Sequence, residues 1–280
     1  MTINRFAPSP TGALHLGHVW AAKFARDSGE KMLLRIEDID KSRSQKEFVD
    51  QILEDLTWLG IQWDGPVINQ SERTELYASG LEKLAQLELV YPCFCSRKDV
   101  AEEAARSTNA PQGPDGPIYS GKCRSRPREE ADALIEAGQP YVVRLDWAKA
   151  AKLVGPLKFT DNGFSHMVEP GLFGDFVVAR RDAPASYHLC VVIDDADQGV
   201  NLVTRGRDLL PSCHPQRLLQ ASLGLKQPVY KHHALVVDAD GKRLAKRDKA
   251  QAVRTYREMG LSPEDLWTIA RSNQEPNADR

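Results

Sequence analysis

The sequence predicts an α/β protein: a parallel-sheet domain split by a small insertion and closed by a short helical tail. Three observations point there. Compact apolar runs alternate with amphipathic helices as far as Leu89, the texture turns to cysteine, proline and glycine from Tyr91 to about Tyr141, and apolar runs then return.

Residues 3–7 form a short apolar strand, and Leu16, Trp20 and Phe24 recur at i, i+4 spacing until Ser28-Gly29 ends a helix. Residues 32–36 make a second strand that stops at Glu37-Asp38. The next helix carries Phe48, Ile52, Leu56 and Leu59 on one face and closes at Gly60; another, from about 71 to 89, has Tyr77, Leu81 and Leu84 inside. Strand, helix, strand, helix is the order of a parallel sheet.

The insertion holds three of the five cysteines and the tract Pro111-Gln112-Gly113-Pro114-Asp115-Gly116-Pro117. Beyond it, residues 189–193 are a near-continuous apolar run, expected as a strand covered on both faces and ending in Asp194-Asp195. Residues 200–204 form a further strand ending at Arg205-Gly206, and Pro215 and Gly224 bracket a helix containing Leu218, Leu219 and Leu223. Residues 235–238 are expected as the last strand, Asp240-Gly241 as a turn, and about 250–271 as the helical tail. The divisions that follow are 1–90 and 151–232 for the two halves of the main domain, 91–150 for the insertion and 233–280 for a basic loop and tail.

With 37 basic and 39 acidic residues and a formal charge of −2, any nucleic-acid surface must be local. Two runs qualify: Lys122-Cys123-Arg124-Ser125-Arg126-Pro127-Arg128 and Lys242-Arg243-Leu244-Ala245-Lys246-Arg247-Asp248-Lys249. Five unevenly spread cysteines argue against a disulfide framework and for reduced thiols or a metal site. No charged-then-apolar leader opens the chain and no apolar segment reaches bilayer length, so a cytoplasmic protein without membrane contact is expected.

Ligands of an open parallel sheet collect at the carboxyl ends of its strands. Arg5 to Ser9, Glu37-Asp38, Asp194-Asp195 and Arg205 all follow directly on expected strands. Pro8 and Pro10 stiffen the first loop, Gly12 permits a sharp turn, and His15 and His18 share one face of the helix start, where the positive field suits phosphate. Gly17 between them leaves room for a flat group. Two histidines alone read as a cap and a surface residue; a second phosphate-seeking element at 242–249 turns them toward a nucleotide.

These residues also carry a family resemblance. His15-Leu16-Gly17-His18 and Arg243-Leu244-Ala245-Lys246-Arg247 resemble the HIGH and KMSKS signatures of class I aminoacyl-tRNA synthetases. Arg5-Phe6-Ala7-Pro8-Ser9-Pro10-Thr11-Gly12, Leu34-Arg35-Ile36-Glu37-Asp38-Ile39-Asp40, Tyr187-His188-Leu189 and Val203-Thr204-Arg205-Gly206 are similar to the glutamyl and glutaminyl branch. The resemblance implies a Rossmann-like (HUP-type) catalytic domain and ATP-dependent activation of L-glutamate to glutamyl-adenylate, with Mg²⁺ carried by the nucleotide. It implies His15, His18 and Lys246 as catalytic residues, with Gly17 joining them around ATP.

For glutamate it implies Arg5, Phe6, Ala7, Pro8, Ser9, Glu37, Tyr187 and Arg205. That set suits the ligand: forked cations at Arg5 and Arg205, with Ser9 and Tyr187 beside them, for carboxylates, and an anion at Glu37 for the ammonium. Ala245 departs from the serine or threonine usual before the second lysine, leaving backbone donors and Lys246 to meet the nucleotide.

Cys93-Phe94-Cys95 and Tyr119-Ser120-Gly121-Lys122-Cys123 resemble the branch's structural zinc site, which implies Cys93, Cys95, Tyr119 and Cys123 as ligands; the pattern by itself admits three free thiols equally. Arg280 closes the sequence soon after Lys246, leaving no room for an anticodon-reading domain. Truncated cores of this branch attach glutamate to queuosine in the anticodon loop of tRNA(Asp), so ATP, L-glutamate and queuosine-bearing tRNA(Asp) are the implied partners of a monomer. The alternatives are a paralogue charging the acceptor end of tRNA(Glu), a small nucleotidylyltransferase, and a non-catalytic zinc-containing RNA-binding module.

Overall fold

A computed structural model of the protein describes residues 1–40, 42–106, 111–180, 184–238, 244 and 251–275. The first block alternates β1 (Ile3–Phe6), α1 (Leu16–Ser28), β2 (Lys31–Ile36), α2 (Lys46–Trp58), β3 (Ile68–Asn69) and α3 (Thr74–Gln86), the last entered through a short 3₁₀ turn. The middle carries β4 (Val90–Cys93), α4 (Arg97–Ala105), β5 (Gln112–Gly113), β6 (Gly116–Pro117), α5 (Arg128–Glu136), β7 (Val142–Leu145) and α6 (Trp147–Val154). There follow β8 (Lys158–Asp161), β9 (Phe164–Met167), β10 (Val177–Arg180), α7 (Tyr187–Asp197), β11 (Leu202–Gly206), α8 (Cys213–Leu223), β12 (Val229–His233), α9 (Val253–Glu258) and α10 (Pro263–Ser272).

Strands β1, β2 and β3 pair in parallel, as do β11, β12 and β8, with β9 antiparallel at the far edge. The two sheets lie side by side: Asn201 N–H donates to the Ile3 carbonyl at 3.1 Å and the Asn4 amide to the Thr204 hydroxyl at 3.0 Å. β1 therefore hands the chain outward to β2 on one side, and β11 hands it to β12 on the other. The seam is a topological switch point, where a crevice opens beyond the carboxyl ends of the strands. α1 and α2 pack on this sheet with α10, whose Leu266 and Ala270 are buried in the same core.

Two expectations are corrected. Residues 189–193 are not a strand: they form the middle of α7, because a short apolar run cannot be told from a helix buried on every side. Leu189, Cys190, Val191, Val192 and Ile193 are all buried in a core shared with α3, α8 and β10, so no polar face betrays the helical period, and β-branched residues favour the strand reading. Among the described residues the last regular strand is β12, not 235–238, where Val236 makes an isolated bridge to Gln274. Lys231 and Val229 alternate with buried Tyr230 and His232 there, an alternation hidden by its histidines. The expected helical tail is present, and among the described residues it runs as two helices, α9 and α10, divided at Gly260 (φ +83°).

The middle segment has its own antiparallel sheet, ordered β10-β7-β4, so Val177–Arg180 joins it from beyond residue 150.

Candidate functional site

A cavity of about 530 Å³ opens at the switch point, lined from the ends of β1, β2, β11 and β12 and from the start of α1. Every described residue of the expected glutamate and ATP sets lines it: Arg5, Phe6, Ala7, Pro8, Ser9, Glu37, Tyr187 and Arg205, and His15, Gly17 and His18. The stiff first loop is tied to the next strand end, since Glu37 N–H donates to the Pro8 carbonyl at 3.0 Å and Gln45 N–H to that of Pro10 at 3.2 Å.

The two histidines cap α1 through their Nδ1 atoms. His15 Nδ1 accepts from Gly17 N–H and His18 Nδ1 accepts from His15 N–H, both at 3.1 Å, a reciprocal capping box. A neutral imidazole whose Nδ1 accepts carries its proton on Nε2, so each ring retains one N–H. The rings stand 3.9 Å apart between centroids. The residues that cap the helix are thus the ones expected to meet phosphate. Gly17 has a sharper role than open space for a flat ligand: a Cβ there would come within 2.9 Å of His15 Cε1, so glycine is what lets the ring fold back.

Arg5 and Glu37 share a buried ionic network that the cavity only skims. Arg5, 5% exposed, donates through Nε to Asp195 Oδ1 at 3.1 Å and through Nη1 to the Thr204 carbonyl at 3.1 Å. Arg35, wholly buried, reaches Asp195 at 2.8 Å, Gln198 at 2.8 Å, Asp194 at 3.6 Å and Glu37 at 3.7 Å. Asp194-Asp195 do not enter the cavity as the strand reading expected. They sit in α7 and hold the arginines from behind, Asp194 also accepting from Gln70, Arg73 and Tyr77.

Burial would push the Arg35 guanidinium down, but Asp195, Glu37 and Asp194 hold it well above its ordinary value. Burial likewise opposes ionised Asp195, and Arg5 with Arg35 outweighs it, so that carboxylate stays below the usual range. Glu37 fares differently: burial pushes its carboxyl up to about 7 against the pull of Arg35 and Arg5.

Arg205, 7% exposed, is held on several edges. Nε donates to His232 Nε2 at 3.0 Å, Nη1 to Gln216 Oε1 at 2.9 Å and to the Tyr187 hydroxyl at 3.5 Å, and Nη2 to Cys213 Sγ at 3.1 Å. Lys246, Arg243 and Ala245 lie outside the described residues. Described residues beside them, Leu244 and Ala252-Val253, are held at the site. Leu244 lines the cavity and donates its N–H to the Val236 carbonyl at 3.2 Å; Ala252 bridges His15, and Val253 N–H donates to the Leu14 carbonyl at 2.9 Å.

In the insertion, Cys93, Cys95 and Cys123 bring their sulfurs within 4.8 Å of one another, a set that could hold a metal ion. The Tyr119 hydroxyl joins them, 3.7 Å from Cys95 Sγ and accepting the Cys123 N–H at 2.8 Å. The Arg144 guanidinium lies 4.1 Å from the Tyr119 ring centroid. The first basic run is largely neutralised within the chain: Arg124 donates to Asp175 at 2.8 Å, Arg126 pairs with Glu130, and Arg128 stands 3.7 Å from Asp132.

Sequence reasoning missed Arg35 as a distinct player, and Asp161, Gln216 and His232 altogether. Arg35 carried a readable signal, a lone charge inside an apolar strand. The others acquire meaning only through Arg205, which the fold brings to them from other elements.

Residues 2–274 match the family described as tRNA synthetases class I (E and Q), catalytic domain. A glutamyl-Q tRNA(Asp) synthetase of Rhodobacter capsulatus is 49% identical over 278 residues, covering 94% of this chain and 98% of that one. Another, from Nitratidesulfovibrio vulgaris, is 41% identical and is covered over 82% of its length by 93% of this chain. The crystal structure of a glutamate-tRNA synthetase from Elizabethkingia anophelis is similar with a TM-score of 0.78 and 28% identity; 96% of this chain spans 61% of that one.

Proposed function

The chain belongs to the class I (E and Q) tRNA synthetase catalytic-domain family of ligases, and from that premise we propose that it joins L-glutamate to ATP as glutamyl-adenylate and passes the glutamyl group to queuosine in the anticodon loop of tRNA(Asp). The observation that carries this is the single cavity lined by every described residue of both expected substrate sets. The queuosine step rests on the names of relatives that the chain covers over most of their length, these two among them.

The α-carboxylate of glutamate attacks the α-phosphorus of ATP and pyrophosphate leaves. The protein aligns the reactants and neutralises growing charge on phosphorus, with no nucleophile of its own. The Nε2–H groups of His15 and His18, with Lys246 from the loop, supply that neutralisation; Gly17 keeps His15 in place. Arg5 and Arg205 fork the carboxylates with Ser9 and Tyr187, Glu37 takes the ammonium, and Phe6, Ala7 and Pro8 form the wall. Mg²⁺ arrives with the nucleotide.

The soft thiols of Cys93, Cys95 and Cys123 with the Tyr119 hydroxyl suit a structural Zn²⁺, which would cross-link the end of β4 to the turn before α5. We read the protein as a cytoplasmic monomer; no helix among the described residues is long and apolar enough to cross a membrane.

ATP–pyrophosphate exchange with glutamate, glutamine and aspartate side by side tests activation, and glutamylation of queuosine-bearing tRNA(Asp) against tRNA(Glu) tests transfer. Glutamate-dependent exchange and labelling of tRNA(Asp) are expected. Exchange that needs no amino acid, or charging of tRNA(Glu) alone, would reject the reading.

A further inference from the structure

Arg205 is gripped from the side away from the cavity by a device that no cavity-lining residue reveals. Strands β11, β12 and β8 are neighbours, and their register sets Arg205 opposite His232 and Tyr230 opposite Asp161. Across them runs a buried chain of bonds: Asp161 Oδ1 lies 2.7 Å from His232 Nδ1 and accepts the His232 backbone N–H at 3.1 Å, and His232 Nε2 lies 3.0 Å from Arg205 Nε. The Asn162 amide donates to the His232 carbonyl at 3.0 Å, pinning the backbone of the same residue. All three side chains of the chain are buried.

We propose that Asp161 and His232 are positioning residues for Arg205, the carboxylate locking the imidazole in the one tautomer that can receive the guanidinium. The reasoning is one of donors and acceptors. An ionised carboxylate only accepts and a guanidinium only donates, so an imidazole between them must present N–H at Nδ1 and a bare lone pair at Nε2. Each alternative state turns an N–H of the ring toward an N–H of Arg205. Burial and the Arg205 charge keep His232 below its ordinary value, while the partner His232 holds Asp161 ionised against its burial, both consistent with that arrangement.

The grip sets the plane of the guanidinium, whose Nη edge is met by Gln216 at 2.9 Å and Cys213 at 3.1 Å and makes a weak 3.5 Å contact to the hydroxyl of Tyr187, a residue that lines the cavity. A ligand carboxylate can compete for that edge; it has no access to Nε. This gives the β8–β9 hairpin, none of whose residues lines the cavity, a part in substrate recognition. The proposal rests on the reading that Arg205 takes a carboxylate of glutamate.

The test is ATP–pyrophosphate exchange by the full chain, with KM measured separately for glutamate and ATP. His232→Asn keeps a donor for Asp161 but offers Arg205 nothing; His232→Gln extends an acceptor toward Arg205. Expected are a rise of about tenfold or more in KM for glutamate with His232→Asn and with Asp161→Asn, an unchanged KM for ATP, and recovery to within about threefold with His232→Gln. Arg205→Lys separates the two levels: if it leaves KM for glutamate unchanged, the reading of Arg205 itself falls. If Arg205→Lys raises that KM while His232→Asn does not, or if His232→Gln is as impaired as His232→Asn, the positioning role is overturned.

Should the variants fold poorly, imidazole nitrogen NMR of the unmodified protein decides independently. A His232 ring protonated at Nδ1 alone is required, and one protonated at Nε2 refutes the proposal.

Discussion

The cleft and the thiol cluster are both functional candidates, yet they are built in opposite ways. The cleft draws on residues from Arg5 to Leu244, delivered by four strand ends and a helix start, and it borders a large apolar core to which Phe6 and Val236 of its lining belong. The thiol cluster draws on two short stretches, 93–95 and 119–123, and its own buried core is little more than Cys93, Tyr119 and Cys123. A site hung on a large core can change its chemistry without losing its shape. One whose ligands are its core cannot.

The largest effect that would sharpen this contrast is at His18. His18→Ala removes a phosphate donor and one half of the cap, so exchange kcat should fall about 10²- to 10³-fold while stability drops only about 1 kcal/mol. A melting temperature that collapsed with the activity would break the comparison. In the insertion the balance should reverse. Metal chelation, or Cys95→Ser, should speed proteolysis within 91–150 by about tenfold or more while the far-UV signal of the parallel sheet persists. Unchanged protease resistance after chelation would show that the thiols need no metal.

Next comes pH. Glu37 titrates near 7 in the folded protein, so it is ionised above that value and neutral below it. Since the ammonium of glutamate needs the anion, kcat/KM for glutamate should fall about tenfold between pH 8 and pH 6, and Glu37→Gln should be uniformly poor and lack that limb. The same raised value means that the native state binds the proton more tightly than the unfolded chain. Glu37 therefore lowers stability progressively as pH rises from about 4.5 to 7 and contributes no further slope above it.

The smallest effect is at Gly17. Gly17→Ala gains helix propensity of about 1 kcal/mol but displaces the His15 ring that caps the helix, a loss of similar size. Stability should move by less than about 1 kcal/mol while exchange activity drops several-fold. Activity left intact would mean that His15 does not need its folded-back position.

Much of this was legible beforehand. The histidine turn, the strand-end arginines, Glu37 and the thiols were all readable, because proline and glycine spacing, charges set at the ends of apolar runs and clustered cysteines are local signals. The reading failed at α7, where an apolar run of five residues gives no period to count, and at β12, whose inward positions carry Tyr230 and His232 instead of aliphatic residues. The sequence sets a cap and a surface residue against a functional role for His15 and His18, whereas both side chains cap α1 and both residues line the cavity.

By itself, then, the sequence determined which residue types stand at which strand ends, since that depends on neighbours along the chain. Only the tertiary structure decided how their charges are held: Asp195 between Arg5 and Arg35, Glu37 pushed up by burial, and His232 between Asp161 and Arg205. Burial sets the value of each charge and bond, and burial depends on segments that meet from opposite ends of the chain.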